Sequence, residues 1–173
     1  MVKIESFEVE QWMDRYETTP GVLNIAETCA ASVSIDDLTK LSTDKSNAGL
    51  SLLSTKLTYG AIRGSDAVRS RVAGIYSKGS PEPLPSDQVI ITQGAIVANF
   101  LLFYTLVGPG DHVICVYPTY QQLYGVPESL GAEVSLWKLK EENGYIPEVS
   151  ELEGLVKDNT KVIDASSDRN KPY

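Results

Sequence analysis

Residues 88–107, QVIITQGAIVANFLLFYTLV, restrict the fold more than any other stretch of this chain. Val89, Ile90 and Ile91 form a short β-branched run of the kind that suits a strand buried on both faces. Thr92-Gln93-Gly94 breaks the run, and residues 95–107 continue without Gly or Pro as an apolar helix of about three and a half turns. The unit is therefore strand, one tight glycine turn, helix. The first N–H groups after Gly94 would lack intrahelical acceptors and sit at the positive end of the helix dipole. Such a turn can hold a phosphate or another anion. It can also be an ordinary α/β turn with no ligand, because one glycine is a weaker signal than G-x-G-x-x-G or a P-loop.

Composition narrows the partners. A formal net charge of −8, with no basic cluster against it, argues against nucleic acid or an anionic membrane. Cys29 and Cys115 are far apart, there is no C-x-x-C, and His112 is the single histidine. Those facts disfavour the usual zinc patterns and a disulfide framework. The opening, MVKIESFEVEQWMD, places charges where a signal peptide needs an apolar run, and residues 95–107 are too short to span a bilayer. The expectation is a soluble, cytoplasmic protein without membrane or metal.

In chain order, Ile4, Phe7, Val9, Trp12, Met13 and Tyr16 approximate a helical stripe that would pack on a core or a partner. Thr19-Pro20-Gly21 ends it, and residues 22–26 could form a short strand. Ser34, with Asp37 three residues on, reads as the cap of a helix containing Leu38 and Leu41. Residues 42–54 read as irregular. Ser65 caps a further helix through Ser77, with Val68, Val72, Ile75 and Tyr76 on one side. Pro81, Pro83 and Pro85 mark a linker. After the organising unit come a turn at 108–111, a strand HVICV at 112–116, and a helix from Pro118 to about Leu130 interrupted at Gly125 and Pro127. A strand at 132–139, a turn at Asn143-Gly144, a helix at 151–157 capped by Ser150, and a strand beginning at 161–163 complete the series. Alternation of this kind implies right-handed crossovers in a parallel α/β sheet. Residues 164–173, DASSDRNKPY, are polar and of different character. A sheet with an uncovered face and edge is expected to belong to a larger architecture.

From Tyr59 onward the chain resembles the pyridoxal-phosphate aminotransferases of fold type I, the class I/II family. Leu57-Thr58-Tyr59-Gly60, Gly64 and Val68-Arg69 are similar to the family's Y-G…G…L-R segment. Residues 88–95 are similar to its strand and phosphate-cup turn. Gly108-Pro109-Gly110-Asp111 followed by Pro118-Thr119-Tyr120 resembles its G-D-x-V…P-x-Y pair, and Gly131-Ala132-Glu133-Val134 its G-A-x-V strand opening. These markers run in order from Tyr59 to about Ile163. The resemblance implies an α/β fold, the truncated large domain of the type I PLP-transferase fold, with a mostly parallel sheet, flanking helices and an N-terminal arm. It divides the chain into an arm and small-lobe segment (1–56), a partial large domain (57–163) and a divergent tail (164–173).

The resemblance also implies roles. Gly94 and the amides of Ala95 and Ile96 would cradle the phosphate of pyridoxal 5'-phosphate, and Tyr120 would lie against its pyridine ring. Tyr59 would reach the phosphate of a neighbouring subunit in a homodimer, and Asn170 would fall where the family bonds the ring hydroxyl, although the surrounding prolines and glycine are missing. Glu27-Thr28-Cys29 would sit near the substrate, with Cys29 a small buried residue rather than a nucleophile. The family's Schiff-base lysine, its aspartate on the pyridine nitrogen and its substrate-carboxylate arginine have no counterpart in this sequence, so no catalytic residue is assigned. Ser42-Thr43-Asp44-Lys45 has the spacing of the lysine segment but precedes the phosphate cup.

The function implied is transfer of an amino group between an amino acid and a 2-oxo acid, by a truncated chain inactive alone. The alternatives are a non-catalytic subunit or relic pairing with a full-length homologue, or lyase or cyclase chemistry on the same scaffold. A small nucleotide-binding domain using the Gly94 turn is a third reading, but it lacks the extra glycines and the acidic residue of a Rossmann fingerprint. Neither amino donor nor acceptor is legible.

Overall fold

The structure, a computed structural model, describes residues 4–26, 29–43, 56 and 58–165. These fall into two compact units. One comprises the described residues up to Asn24 and from Thr92 onward; the other is Ile25–Ile91.

In the first unit, helix α1 (Glu8–Tyr16) is followed, from Thr92 on, by α4 (Ala95–Leu106), β1 (His112–Tyr117), α5 (Gln122–Ser129), β2 (Glu133–Lys138), α6 (Val149–Leu155) and β3 (Thr160–Asp164). The intervening α2 (Ile35–Leu41) and α3 (Asp66–Tyr76) belong to the second unit. The strands form one parallel sheet in the order β2-β1-β3, as the alternation of strands and helices implies. Central β1 is wholly apolar after its histidine, because helices cover both faces. Val113 and Cys115 point to one face, where they pack with Phe103 and Val107 at the end of α4 and with Leu123 and Val126 of α5. Ile114 and Val116 point to the other, against Trp137 and the α6 residues Leu152 and Leu155. The register of β1 with β3 skips Lys161, a local irregularity beside His112.

The helix expected at the Gly94 turn is α4, and α1 carries Val9, Trp12, Met13 and Tyr16 of the N-terminal stripe on a helix, but Val9, Trp12 and Tyr16 are exposed and none of its residues is buried. Three expectations in this unit are corrected. Helix α5 is not interrupted: Gly125 and Pro127 both lie inside it. Proline there removes one backbone bond, which a helix packed through Leu123 and Val126 tolerates. Glu148, not Ser150, is the N-cap of α6. Residues 22–26, which run on into the second unit, form no strand, and Leu23 and Ile25 are almost fully exposed.

The second unit holds α2 (Ile35–Leu41) and α3 (Asp66–Tyr76). Ser34 caps α2 through a reciprocal pair: its hydroxyl accepts from the Asp37 amide at 3.1 Å, and the Asp37 carboxylate accepts from the Ser34 amide at 3.0 Å. Ser65 caps α3 as expected. The buried side of α3 is not the apolar stripe read from sequence. Val68, Ile75 and Tyr76 are exposed, whereas Arg69 and Ala73 are buried. Arg69 is satisfied there: it donates to the carbonyls of Gly64 at 3.2 Å and Ser86 at 2.8 Å and pairs with Asp66. The strand expected at residues 89–91 is likewise absent from the sheet. The run is extended, but the Ile91 amide donates to the Arg63 carbonyl and no ladder forms among the described residues. Gly64 permits this approach, since a Cβ there would stand 2.5 Å from Ile91 Cγ1. Among the described residues no helix is long and apolar enough to cross a membrane.

Candidate functional site

The site assembles at the C-terminal end of β1. Helix α4 reaches β1 through the tight turn at residues 107–111, so its N-terminus returns to the opposite end of the strand. Gly94 is the N-cap, with φ 82° and ψ 165°, a backbone region open essentially to glycine alone. Thr92 shapes the turn: its carbonyl accepts from the Gly94 amide and its hydroxyl donates to the Gly94 carbonyl, both at 2.9 Å. The first intrahelical bond runs from Ala98 to Gly94. The amides of Ala95, Ile96 and Val97 thus precede the ladder, and no side chain caps them. They present donors at the positive end of a twelve-residue helix, in exposed surroundings around Gly94–Ile96.

Tyr120 is linked to the start of α4 through its near neighbour Gln122, a link the sequence did not disclose. Two residues later, Gln122 opens α5 and is almost completely buried. Its amide donates to the Ile96 carbonyl at 2.6 Å and accepts from Asn99 at 3.2 Å, fastening α5 to the first turns of α4. On the other side Tyr120 meets α1. Its hydroxyl donates to the Glu10 carboxylate at 2.7 Å, and its ring makes an edge contact with Phe7, centroids 5.8 Å apart. Burial, reinforced by the Glu10 bond and charge, pushes the Tyr120 phenol up to about 12. Gln121 completes the junction by accepting from the Glu8 amide at 3.0 Å and donating to the Ser6 carbonyl at 3.1 Å. It supplies from outside the cap that Phe7 cannot give α1.

Of the residues proposed from sequence, Gly94, Ala95 and Ile96 form the start of α4, and Tyr120 stands two positions before Gln122, whose side chain bonds the Ile96 carbonyl. Tyr59 is fully exposed in the other unit. Cys29 is exposed, contrary to the expectation of a buried thiol. Glu27, Thr28 and Asn170 lie outside the described residues. Val97, Gln121, Gln122 and Glu10 were not singled out from sequence. The only signal for the glutamines was their place directly after Pro118-Thr119-Tyr120, and polarity alone does not show that a side chain turns inward.

An amide cup beside a fixed aromatic ring suits a ligand with a phosphate and a flat ring. The comparisons agree with that chemistry. The family model of aminotransferases of class I and II matches residues 34–167. A PLP-dependent aminotransferase from Streptococcus suis superposes with a TM-score of 0.81 at 41% identity, over 93% of this chain and 42% of its own. The arginine–pyruvate transaminase of Pseudomonas aeruginosa is 30% identical over 69% of this chain and 30% of its own length. An aspartate aminotransferase from Sulfolobus acidocaldarius is 34% identical over 61% and 27%. This chain therefore spans less than half of each of these relatives. Pyridoxal 5'-phosphate is the cofactor that membership of this family implies, and the α/β arrangement is that of part of the type I large domain. With more than half of its residues matched, the chain belongs to the class I and II aminotransferase family.

Proposed function

We propose that this chain forms the cofactor-cradling part of a pyridoxal-phosphate-dependent aminotransferase that moves an amino group between an amino acid and a 2-oxo acid. The observation that carries the reading is the run of uncapped amides at Ala95–Val97 tied through Gln122 to Tyr120. Those amides donate to the phosphate, and the glycine leaves room for it, since a Cβ at Gly94 would meet nothing within 4 Å. Tyr120 offers a ring face whose orientation is restrained by Phe7 and Glu10. When bound, the cofactor supplies an electron sink for charge at the substrate α-carbon. Tyr59 and Asn170 extend the set toward a neighbouring subunit's phosphate and toward the ring hydroxyl. In this reading residues 1–56 act as arm and small lobe, 57–163 as the cofactor-binding part, and 164–173 as a divergent tail. The apolar residues that α4 leaves exposed, among them Phe100, Leu101 and Leu102, support a second subunit against it.

None of the chain's lysines stands in the family's cofactor-lysine context, so these 173 residues alone bind the cofactor without turning over. Purified chain titrated with pyridoxal phosphate tests this. Saturable binding competed by inorganic phosphate, with no single lysine labelled after borohydride, is the expected result. No saturable binding overturns the reading. One specifically reduced lysine overturns the inactivity while keeping the cofactor.

A further inference from the structure

Gln122 is a buried polar side chain for which phosphate binding and ring stacking give no direct task. Both ends of its carboxamide are used, and both uses fall on α4: the donor on the Ile96 carbonyl at 2.6 Å, the acceptor on the Asn99 amide at 3.2 Å. Ile96 and Asn99 are three apart, so they share one face of the helix. Attachment at two points on that face fixes the rotation of the first turn as well as its height. The core residue Phe103 lies about 10 Å further along the helix axis, too remote to set the direction of the first amides. Only Gln121 separates Gln122 from Tyr120, so their Cα atoms lie at most about 7 Å apart. Fixing α4 to Gln122 therefore fixes the amide cup relative to the tyrosine ring.

We propose that Gln122 is a positioning residue that holds the Ala95–Val97 amides in register with Tyr120, so that the phosphate end and the ring end of the cofactor are bound as one unit. The inference rests on the cofactor reading above. It adds a specific coupling: disturbing Gln122 weakens the phosphate grip and the ring contact together, although it touches neither.

Gln122→Met keeps length and bulk while removing both hydrogen bonds. The variant and the parent chain are compared for pyridoxal phosphate affinity, for the induced circular dichroism of the bound cofactor, and for amide hydrogen exchange at residues 95–97. The expected result is affinity about tenfold weaker, with reduced induced dichroism and faster exchange. Tyr120→Ala is expected to weaken the parent severalfold and the Gln122→Met chain by less than about twofold, because the register is already lost. If Gln122→Met fails to fold, Asn99→Leu removes one bond from the other side, with a loss of about threefold expected. Unchanged affinity in the folded variant, or losses from Gln122→Met and Tyr120→Ala that multiply, overturns the coupling and leaves the cofactor reading standing. A parent chain that binds neither pyridoxal phosphate nor inorganic phosphate overturns both.

Discussion

The two ends of β1 are built to opposite rules. At its start, polar groups are closed off. His112 is fully buried, and its ring bridges all three strands, Nδ1 to the Thr160 hydroxyl at 2.8 Å and Nε2 to the Ser135 hydroxyl at 2.9 Å. The turns there are equally tight: Asn159 donates to the Gly110 carbonyl, and a Cβ at Gly131 would stand 3.2 Å from Pro109. At the far end, donors are left open. Gly94 faces space, three amides lack acceptors among the described residues, and Tyr120 is held from its sides by α1. One end uses its polar groups within the fold; the other leaves backbone donors exposed. This accords with the tendency of open α/β sheets to bind ligands outside the carboxyl ends of their strands.

The largest effect is expected in the core between α4 and β1. Phe103→Ala opens a cavity between α4 and β1 and is expected to cost about 3–5 kcal/mol in chemical denaturation. At the closed end, His112→Ala removes a buried ring and its bonds to the half-buried Thr160 and Ser135 hydroxyls, and should cost about 2–3 kcal/mol. Burial, with Lys157 adding to it, holds the His112 pKa below its ordinary value. The unfolded chain then binds the proton more readily, so the histidine's contribution is complete above about pH 6.5 and is lost as pH falls below that, by at most about 1.4 kcal/mol per pH unit. The slope should vanish in His112→Ala; a slope that persists would place its source elsewhere.

The open end should respond the other way. Gly94→Ala meets no steric neighbour, so its cost is backbone strain of about 1–3 kcal/mol, relieved if the turn rearranges. Pyridoxal phosphate affinity should fall sharply while most of the folding stability remains; equal losses in both would erase the distinction between the ends. The smallest effect is expected for Tyr120→Phe, which keeps the ring and removes only the bond to Glu10, about 0.5–1.5 kcal/mol in the docking of α1. An ultraviolet pH titration should lose one phenol that ionises near pH 12. That late ionisation would otherwise stabilise the fold below pH 10 and fade as pH rises through about 12.

The sequence by itself determined the elements whose causes are local. The Gly94 turn, the helix behind it, the cap at Ser34 and the apolar strand at His112–Tyr117 all follow from residue types at fixed short spacings. The ordered markers from Tyr59 onward made the family legible. What sequence left undecided depends on partners distant along the chain. Residues 89–91 have every β-former a strand needs, yet in the described structure no ladder forms on them. Arg69 sits inside because three oxygens reach it, while its apolar neighbours stay outside. Gln121 and Gln122 look alike in a sequence, but one turns to α1 and the other to α4. A hydrogen bond between residues 26 positions apart has no local signature, so only tertiary structure could join α5 to the first turn of α4.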